Sequence, residues 1–160
     1  MAPRIAALSV PDTARGALDA GELETAVGLW LRIAQQRDQR EFTRRFAAEG
    51  ITPLAYAILL VVDANPGCRQ AELGAALRIR QPNLVEPLDS LVERGLIVRA
   101  PDPRDRRAQV LSLSDAGEGF VARLKASHAE MIEAYRVRLG SKTYDRLVEL
   151  LRLFVDGRQG

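Results

Sequence analysis

The sequence predicts a mainly α-helical protein with one small β-hairpin, an α+β fold. Apolar residues recur at three- and four-residue spacing over most of the 160 residues. This period changes to two only near residues 96–99 and 109–113, which predicts two short strands. The composition also favours a core built on helices, because 47% of the residues are hydrophobic and only 5% are aromatic.

The N-terminal part divides into an arm and two helices. Residues 1–20 mix prolines and small residues without periodicity, which predicts a flexible arm. A helical pattern begins at Glu22 and ends at Gly50. Thr52-Pro53 then begins a second helix, because the hydroxyl caps free amides and proline at the first position loses no hydrogen bond. We expect the buried face of this helix to comprise Leu54, Ala57, Ile58 and Val61.

A short third helix is predicted over Gln70–Ala76, and a fourth runs from Gln81-Pro82 to Gly95. The fourth helix is amphipathic. Its predicted inner stripe is Leu84, Leu88 and Leu91, with Val85 and Val92 beside them. Its outer face carries Gln81, Asn83, Glu86, Asp89 and Ser90. Pro87 lies inside it and cannot donate a hydrogen bond to the Asn83 carbonyl, so we expect a kink or a loosened first turn.

The two predicted strands flank a polar tip, residues 101–107, that is not expected to bury itself. From Arg94 to Arg107 there are five arginines and two aspartates, a net charge of +3 against +2 for the whole chain. A helix with a polar outer face fits the major groove of DNA, and a projecting basic hairpin can place arginine in the minor groove. These features together predict a winged helix-turn-helix protein whose wing is the hairpin.

Ser114 is expected to cap a fifth helix that ends at Leu139-Gly140, and Ser141 to cap a sixth. These terminal helices carry more apolar residues than one small winged domain could cover. The sequence therefore predicts a winged helix-turn-helix lobe at 51–114, flanked by helices whose apolar surface needs a further partner.

The chain resembles the MarR family of transcriptional regulators. The strongest matches are Leu91-Val92-Glu93-Arg94-Gly95-Leu96-Ile97 and Asp102-Pro103-Arg104-Asp105-Arg106-Arg107-Ala108. Further matches lie at 51–54, 70–74 and 111–117. The resemblance implies a homodimer that binds a palindromic operator in double-stranded DNA. Its first, fifth and sixth helices would interlock as a helical dimerisation lobe formed by 21–50 and 115–160. The resemblance also implies a repressor that is released by a small, often aromatic or phenolic, effector.

The resemblance assigns roles to four wing residues. Arg107 would enter the minor groove, while Asp105 orients its guanidinium or the turn. Arg104 and Arg106 are better placed to contact phosphates.

The resemblance also assigns DNA contacts to the helix-turn-helix. The exposed leading turns of the recognition helix carry Arg80, Gln81, Asn83 and Glu86. Gln81 and Asn83 suit adenine, and Arg80 suits guanine or phosphate. Arg69 and Gln70, at the start of the third helix, would lie near the DNA backbone.

Four further residues are candidates for sensing. Trp30, Tyr56 and His128 could line an effector pocket between the lobes, but each also suits a core or an interface. Cys68 is the only cysteine. It leaves open a peroxide- or thiol-responsive repressor, although a plain small residue at a helix start is the simpler interpretation.

Several other functions are not expected. One cysteine and one histidine exclude Cys-rich metal chemistry and an ordinary zinc site, so neither metal nor cofactor is predicted. The sequence has no nucleophile–base pairing and no phosphate-binding glycine loop, which argues against an enzyme. A winged-helix protein-interaction module is a further alternative, but its wing would need exposed apolar anchors instead of arginines.

The expected location is the cytoplasm. No apolar run approaches the ~18 residues of a membrane span. Met1–Val10 holds one arginine and a short apolar stretch, without a convincing signal-peptide core.

Overall fold

A computed structural model describes residues 21–103 and 105–157 of the chain. Within these residues, six α-helices and a three-stranded antiparallel sheet confirm the predicted fold class. The elements are a 3-10 helix Gly21–Thr25, α1 Val27–Arg45, α2 Pro53–Ala64, β1 Cys68–Arg69, α3 Gln70–Leu77, α4 Pro82–Glu93, β2 Ile97–Asp102, β3 Asp105–Leu113, α5 Asp115–Leu139 and α6 Ser141–Asp156. The arm predicted for residues 1–20 lies outside the described residues.

Two compact units make up the chain, Met1–Asp38 and Gln39–Gly160. In the first unit, the indole Nε1 of Trp30 donates a hydrogen bond to the Glu24 carbonyl over 2.7 Å. This contact joins the 3-10 helix to the first turns of α1.

The second unit has its core around α2, which contacts α3, α4, α5 and β3. Thr52 caps α2 as predicted, since its hydroxyl accepts from the Ala55 amide over 3.1 Å. The predicted buried face is only partly correct, because Leu54, Ala57 and Val61 are half-buried. The buried residues are Ala55, Tyr56, Ile58, Leu59 and Val62. A helix surrounded on several sides buries more than one stripe, so its apolar pattern does not determine which face is innermost.

The hairpin is longer than predicted. Its strands are Ile97–Asp102 and Asp105–Leu113, and β3 also pairs with β1 on its other side. The β2–β3 register is regular from Ile97–Leu113 to Pro101–Gln109 and then jumps to Asp102–Asp105. Residues 106–108 therefore have no Cα partner on β2, and this bulge interrupts the ladder beside the tip.

The start of α5 lies against the start of the hairpin. The Ser114 hydroxyl accepts from the Gly117 amide over 3.0 Å and donates to the Gly95 carbonyl over 2.5 Å. A Cβ built on Gly117 would lie 2.0 Å from the Leu96 carbonyl oxygen. Only glycine allows this approach, and the approach fixes the root of the hairpin relative to α5.

All three leucines of the predicted inner stripe of α4 are buried, namely Leu84, Leu88 and Leu91. Pro87 does not divide α4, which is continuous from Pro82 to Glu93. Its first turn is tightened instead, because the Asn83 and Leu84 amides donate to carbonyls three residues earlier. Among the described residues, no helix is both long and apolar enough to cross a membrane.

We expect Gly117→Ala to destabilise the fold by about 2–3 kcal/mol, because the added methyl group meets a backbone oxygen that cannot rotate away. Chemical unfolding followed by circular dichroism measures this free energy. Gly119→Ala is the matched control on the same helix, where the nearest atom is the end of the Arg123 side chain at 3.9 Å. The control should be neutral or stabilising by up to about 1 kcal/mol. Equal stability of the two variants would contradict the close approach.

Candidate nucleic-acid interface

The leading end of α4 presents a polar, exposed surface. Arg80, Asn83 and Glu86 are all exposed there. Val85 is also 46% exposed on this face, although its apolar side chain was expected beside the inner stripe. Its helical position, four residues before Asp89 and next to Glu86 on the outer face, is the signal that could have identified it.

Gln81 takes part in the connection between α3 and α4. Its amide Nε2 donates to the Gln70 carbonyl over 3.2 Å. A Cβ on Gly74 would lie 3.0 Å from the Ile79 carbonyl oxygen and 3.2 Å from the Gln81 Nε2. The turn is thus packed tightly around a glycine, and one polar group of Gln81 helps to hold it.

The end of the wing is tied to the rest of the lobe by an ion pair. Arg69, on β1, places Nε at 2.7 Å and Nη2 at 2.5 Å from the Asp102 Oδ2 at the end of β2. Asp102 is only 5% exposed, so the prediction that the whole tip stays unburied is wrong at this residue. The burial pattern along β2 does not alternate, and therefore no period in the sequence marked Asp102 as buried. The Asp102 carboxylate raises the pKa of Arg69 through a hydrogen bond and its charge.

Two of the five arginines counted in the basic segment act within the fold. Arg99 on β2 pairs with Asp89 on α4 over 2.7 Å. Arg94 donates to the carbonyls of Glu49 and Gly50 over 3.0 and 3.1 Å. Of the five arginines, Arg104, Arg106 and Arg107 in the outer part of the hairpin therefore remain as candidates for contact with a partner.

The outer wing residues are described unequally. Arg104 lies outside the described residues, and only the backbone of Arg106 and Arg107 on β3 is described. Asp105 is exposed. The predicted DNA contacts of these four residues stay predictions.

Cys68 occupies a buried position on β1, 9% exposed, beside a surface cavity of about 470 Å³. Burial raises the pKa of the Cys68 thiol, and the nearby charge of Glu72 raises it further. A thiol with a raised pKa holds less of the reactive thiolate at neutral pH. These surroundings disfavour the thiol-responsive alternative.

An aromatic cluster joins two of the three proposed effector residues. The ring centroids of Tyr56 and His128 are 5.1 Å apart, and the Tyr56 ring also contacts Phe42 and Phe46 at 5.4 and 5.7 Å. Among the described residues the buried Tyr56 hydroxyl has no hydrogen-bond partner, and burial raises its pKa. Trp30 belongs to the other compact unit and is 49% exposed, so its place in a pocket stays a prediction.

The succession of α2, α3 and α4, followed by the β2–β3 hairpin, defines a winged helix-turn-helix protein. A family model described as the MarR family matches residues 49–108. A putative transcriptional regulatory protein for the hcr operon of Thauera aromatica is 32% identical over 133 residues, which cover 82% of this chain and 80% of that protein. The chain belongs to the MarR family, as its motifs predict.

Solved structures of regulators have the same fold. The transcriptional repressor CouR bound to a 23-mer DNA duplex superposes with a TM-score of 0.83 at 37% identity, covering 87% of this chain and 99% of that chain. CouR bound to p-coumaroyl-CoA superposes with a TM-score of 0.79 at 35% identity, covering 87% of this chain and 98% of that chain. The PcaV transcriptional regulator from Streptomyces coelicolor, in complex with its natural ligand, superposes with a TM-score of 0.74 at 27% identity. This superposition covers 89% of this chain and 98% of that chain.

We expect Cys68 in the native protein to react with iodoacetamide at neutral pH at least about tenfold more slowly than in urea, because burial disfavours the thiolate. Mass spectrometry of timed samples measures the rates, and the urea-unfolded chain is the control. Peroxide treatment should leave DNA binding equal in the wild type and in Cys68→Ser. Rapid native alkylation, or release of DNA by peroxide only when Cys68 is present, would support the redox alternative instead.

Proposed function

We propose that this chain is a cytoplasmic transcriptional repressor and not an enzyme. It acts as a homodimer that binds a palindromic operator and releases it when a small aromatic or phenolic effector binds. The observation that carries the proposal is the exposed polar end of α4 beside an arginine-bearing wing. Support comes from the superposition on CouR, whose structure contains a DNA duplex, with a TM-score of 0.83.

In this proposal α4 enters the major groove. Asn83 is suited to adenine through its amide, and Glu86 to the amino group of cytosine. Arg80 can meet guanine or a phosphate, and the exposed Val85 methyl groups suit a thymine methyl. Gln81 can still present its amide oxygen while its nitrogen holds the α3–α4 turn.

The wing supplies the second part of the interface. Arg107 enters the minor groove, whose negative potential attracts a guanidinium, and Asp105 orients it. Arg104 and Arg106 contact phosphates and position the protein without reading sequence. Gln70 lies near the DNA backbone at the start of α3.

A homodimer accounts for the exposed apolar residues of α6. Phe154 is 62% exposed, and several neighbours on the same helix are exposed as well: Leu147, Leu150, Leu151, Leu153 and Val155. Contiguous apolar surface of this kind marks an interaction site in a stable protein. A second copy of the chain covers it in this proposal, which places 21–50 and 115–160 in the dimerisation lobe.

The effector site includes Tyr56 and His128. Both rings lie in the aromatic cluster, which suits the flat face of an aromatic ligand. The buried Tyr56 hydroxyl offers a polar group that a phenolic or carboxylate ligand could bind. The p-coumaroyl-CoA bound to CouR is an aromatic acyl compound and therefore a suitable first probe.

We expect Arg107→Ala to weaken binding to the intergenic DNA upstream of its own gene by about 1–3 kcal/mol. The slope of the logarithm of the binding constant against the logarithm of the salt concentration should become shallower by about one. Fluorescence anisotropy against a scrambled duplex measures specific affinity, and light scattering should find a dimer for both proteins. Arg44→Ala, the same change on exposed α1, is the control and should bind like the wild type. Unchanged affinity of Arg107→Ala would overturn the wing assignment, and a monomeric wild type would contradict the homodimer.

We expect p-coumaroyl-CoA to raise the melting temperature of the wild type and to release its DNA, because a ligand that prefers the native state stabilises it. Tyr56→Phe should fold as stably as the wild type but need about threefold to tenfold more ligand, the effect of one neutral hydrogen bond. Tyr144→Phe removes a hydroxyl from α6 and should respond like the wild type. If neither this compound nor free aromatic acids change the melting temperature or the DNA binding of the wild type, an effector of this class is contradicted.

A further inference from the structure

Arg69 and Asp102 form a contact between two parts of the DNA-binding lobe that are 33 residues apart. We propose that Arg69 is a positioning residue: it holds the end of the wing through Asp102 and does not itself contact a DNA phosphate. This inference rests on the proposed function, because the wing acts on DNA only in that proposal. It replaces the expectation that Arg69 lies near the DNA backbone as a contact.

Arg69 is held in place by its backbone as well as its side chain. Its Cα is paired with that of Val110 in the β1–β3 ladder. Its amide donates to the Glu72 carboxylate over 2.7 Å at the start of α3. The guanidinium therefore projects from a fixed point where the sheet and α3 meet.

Asp102 lies where the wing needs support. It is the last residue of β2 and is paired with Asp105, directly after the register jump. At that jump residues 106–108 leave the β2 ladder, so fewer ladder contacts hold the end of the hairpin than its root. A buried carboxylate bound by two nitrogens of Arg69 anchors this end to β1.

The charges around Arg69 argue against a phosphate contact. Its pKa is raised first by Asp102, and Asp105 and Glu72 act in the same direction. A phosphate approaching Arg69 would meet three carboxylates and would have to compete with one that is already bound at 2.5 Å. Electrostatic attraction of DNA is thus better served by other cations of the lobe.

The two roles predict opposite signs for a change at Asp102. Removing a negative charge near DNA ordinarily strengthens binding, and it would free Arg69 for phosphate if that were its role. If Arg69 positions the wing, Asp102→Asn weakens binding because the anchor of the hairpin is lost. The sign of the change in affinity therefore separates a positioning residue from a phosphate contact.

The experiment compares Asp102→Asn, Arg69→Gln and the double variant with the wild type. Affinity for the intergenic DNA upstream of the gene is measured by anisotropy, and amide hydrogen exchange of β2 and β3 is measured without DNA. Glu93→Gln removes the same charge from an exposed site on α4 and is the matched control. Arg69→Lys keeps the charge but not the two-nitrogen contact, and it serves if a neutral variant fails to fold.

We expect Asp102→Asn and Arg69→Gln each to weaken DNA binding by about tenfold. The double variant should bind DNA no more weakly than the weaker-binding of the two single variants, because each single change already removes the same contact. Hydrogen exchange in the hairpin should be faster in these variants, whereas Glu93→Gln should match the wild type or bind slightly more tightly. Arg69→Lys should show an intermediate loss.

Asp102→Asn binding as tightly as the wild type, or losses that add in the double variant, would overturn the positioning role. Unchanged hydrogen exchange in the hairpin overturns it as well, whether or not DNA binds. A wild type that binds neither this DNA nor its scrambled form would instead contradict the proposed function, and the two failures are thereby distinguished.

Discussion

The burial of α2 is the constraint on which the other elements depend. This helix contacts α3, α4, α5 and β3, so the recognition helix and the hairpin are both placed by the same apolar surface. Tyr56 extends that surface towards the aromatic cluster, where Phe42, Phe46 and His128 meet its ring. A close-packed interior transmits displacement because its side chains have few alternative arrangements. Any displacement of Tyr56 therefore acts on the helix against which α4 is packed.

The positions of the elements follow from local signals in the sequence, because helix starts and stops are local chemistry. Thr52 and Ser114 cap the helices they were expected to cap, and the inner leucines of α4 are buried where the period places them. The expected Ser141 cap of α6 is wrong, because Ser141 is the first helical residue and no side-chain hydrogen bond caps this helix. What could not be predicted depends on partners distant in the chain. The innermost face of α2 is decided by four neighbouring elements, and the burial of Asp102 depends on Arg69.

The same distinction between local signals and distant partners applies to the candidate interface. Arg80, Asn83 and Glu86 are exposed as the amphipathic pattern indicates, because one helix determines its own outer face. The counted charge of the basic segment is less informative than it seemed from sequence. Arg94 and Arg99 bind groups within the lobe, and only a structure reveals which arginines are so engaged. Pro87 does not interrupt α4, which is continuous from Pro82 to Glu93.

The bulge at residues 106–108 has a consequence for how this hairpin can evolve. In a regular ladder, inserting or deleting one residue turns every later side chain to the opposite face. Here the strand leaves the ladder before it reaches the tip, and the core residues Ile97 and Leu111 lie on the regular side of the jump. Changes of loop length near the tip can be absorbed where the register is already broken. The hairpin can thus change its length at the tip while the packing of Ile97 and Leu111 stays as it is.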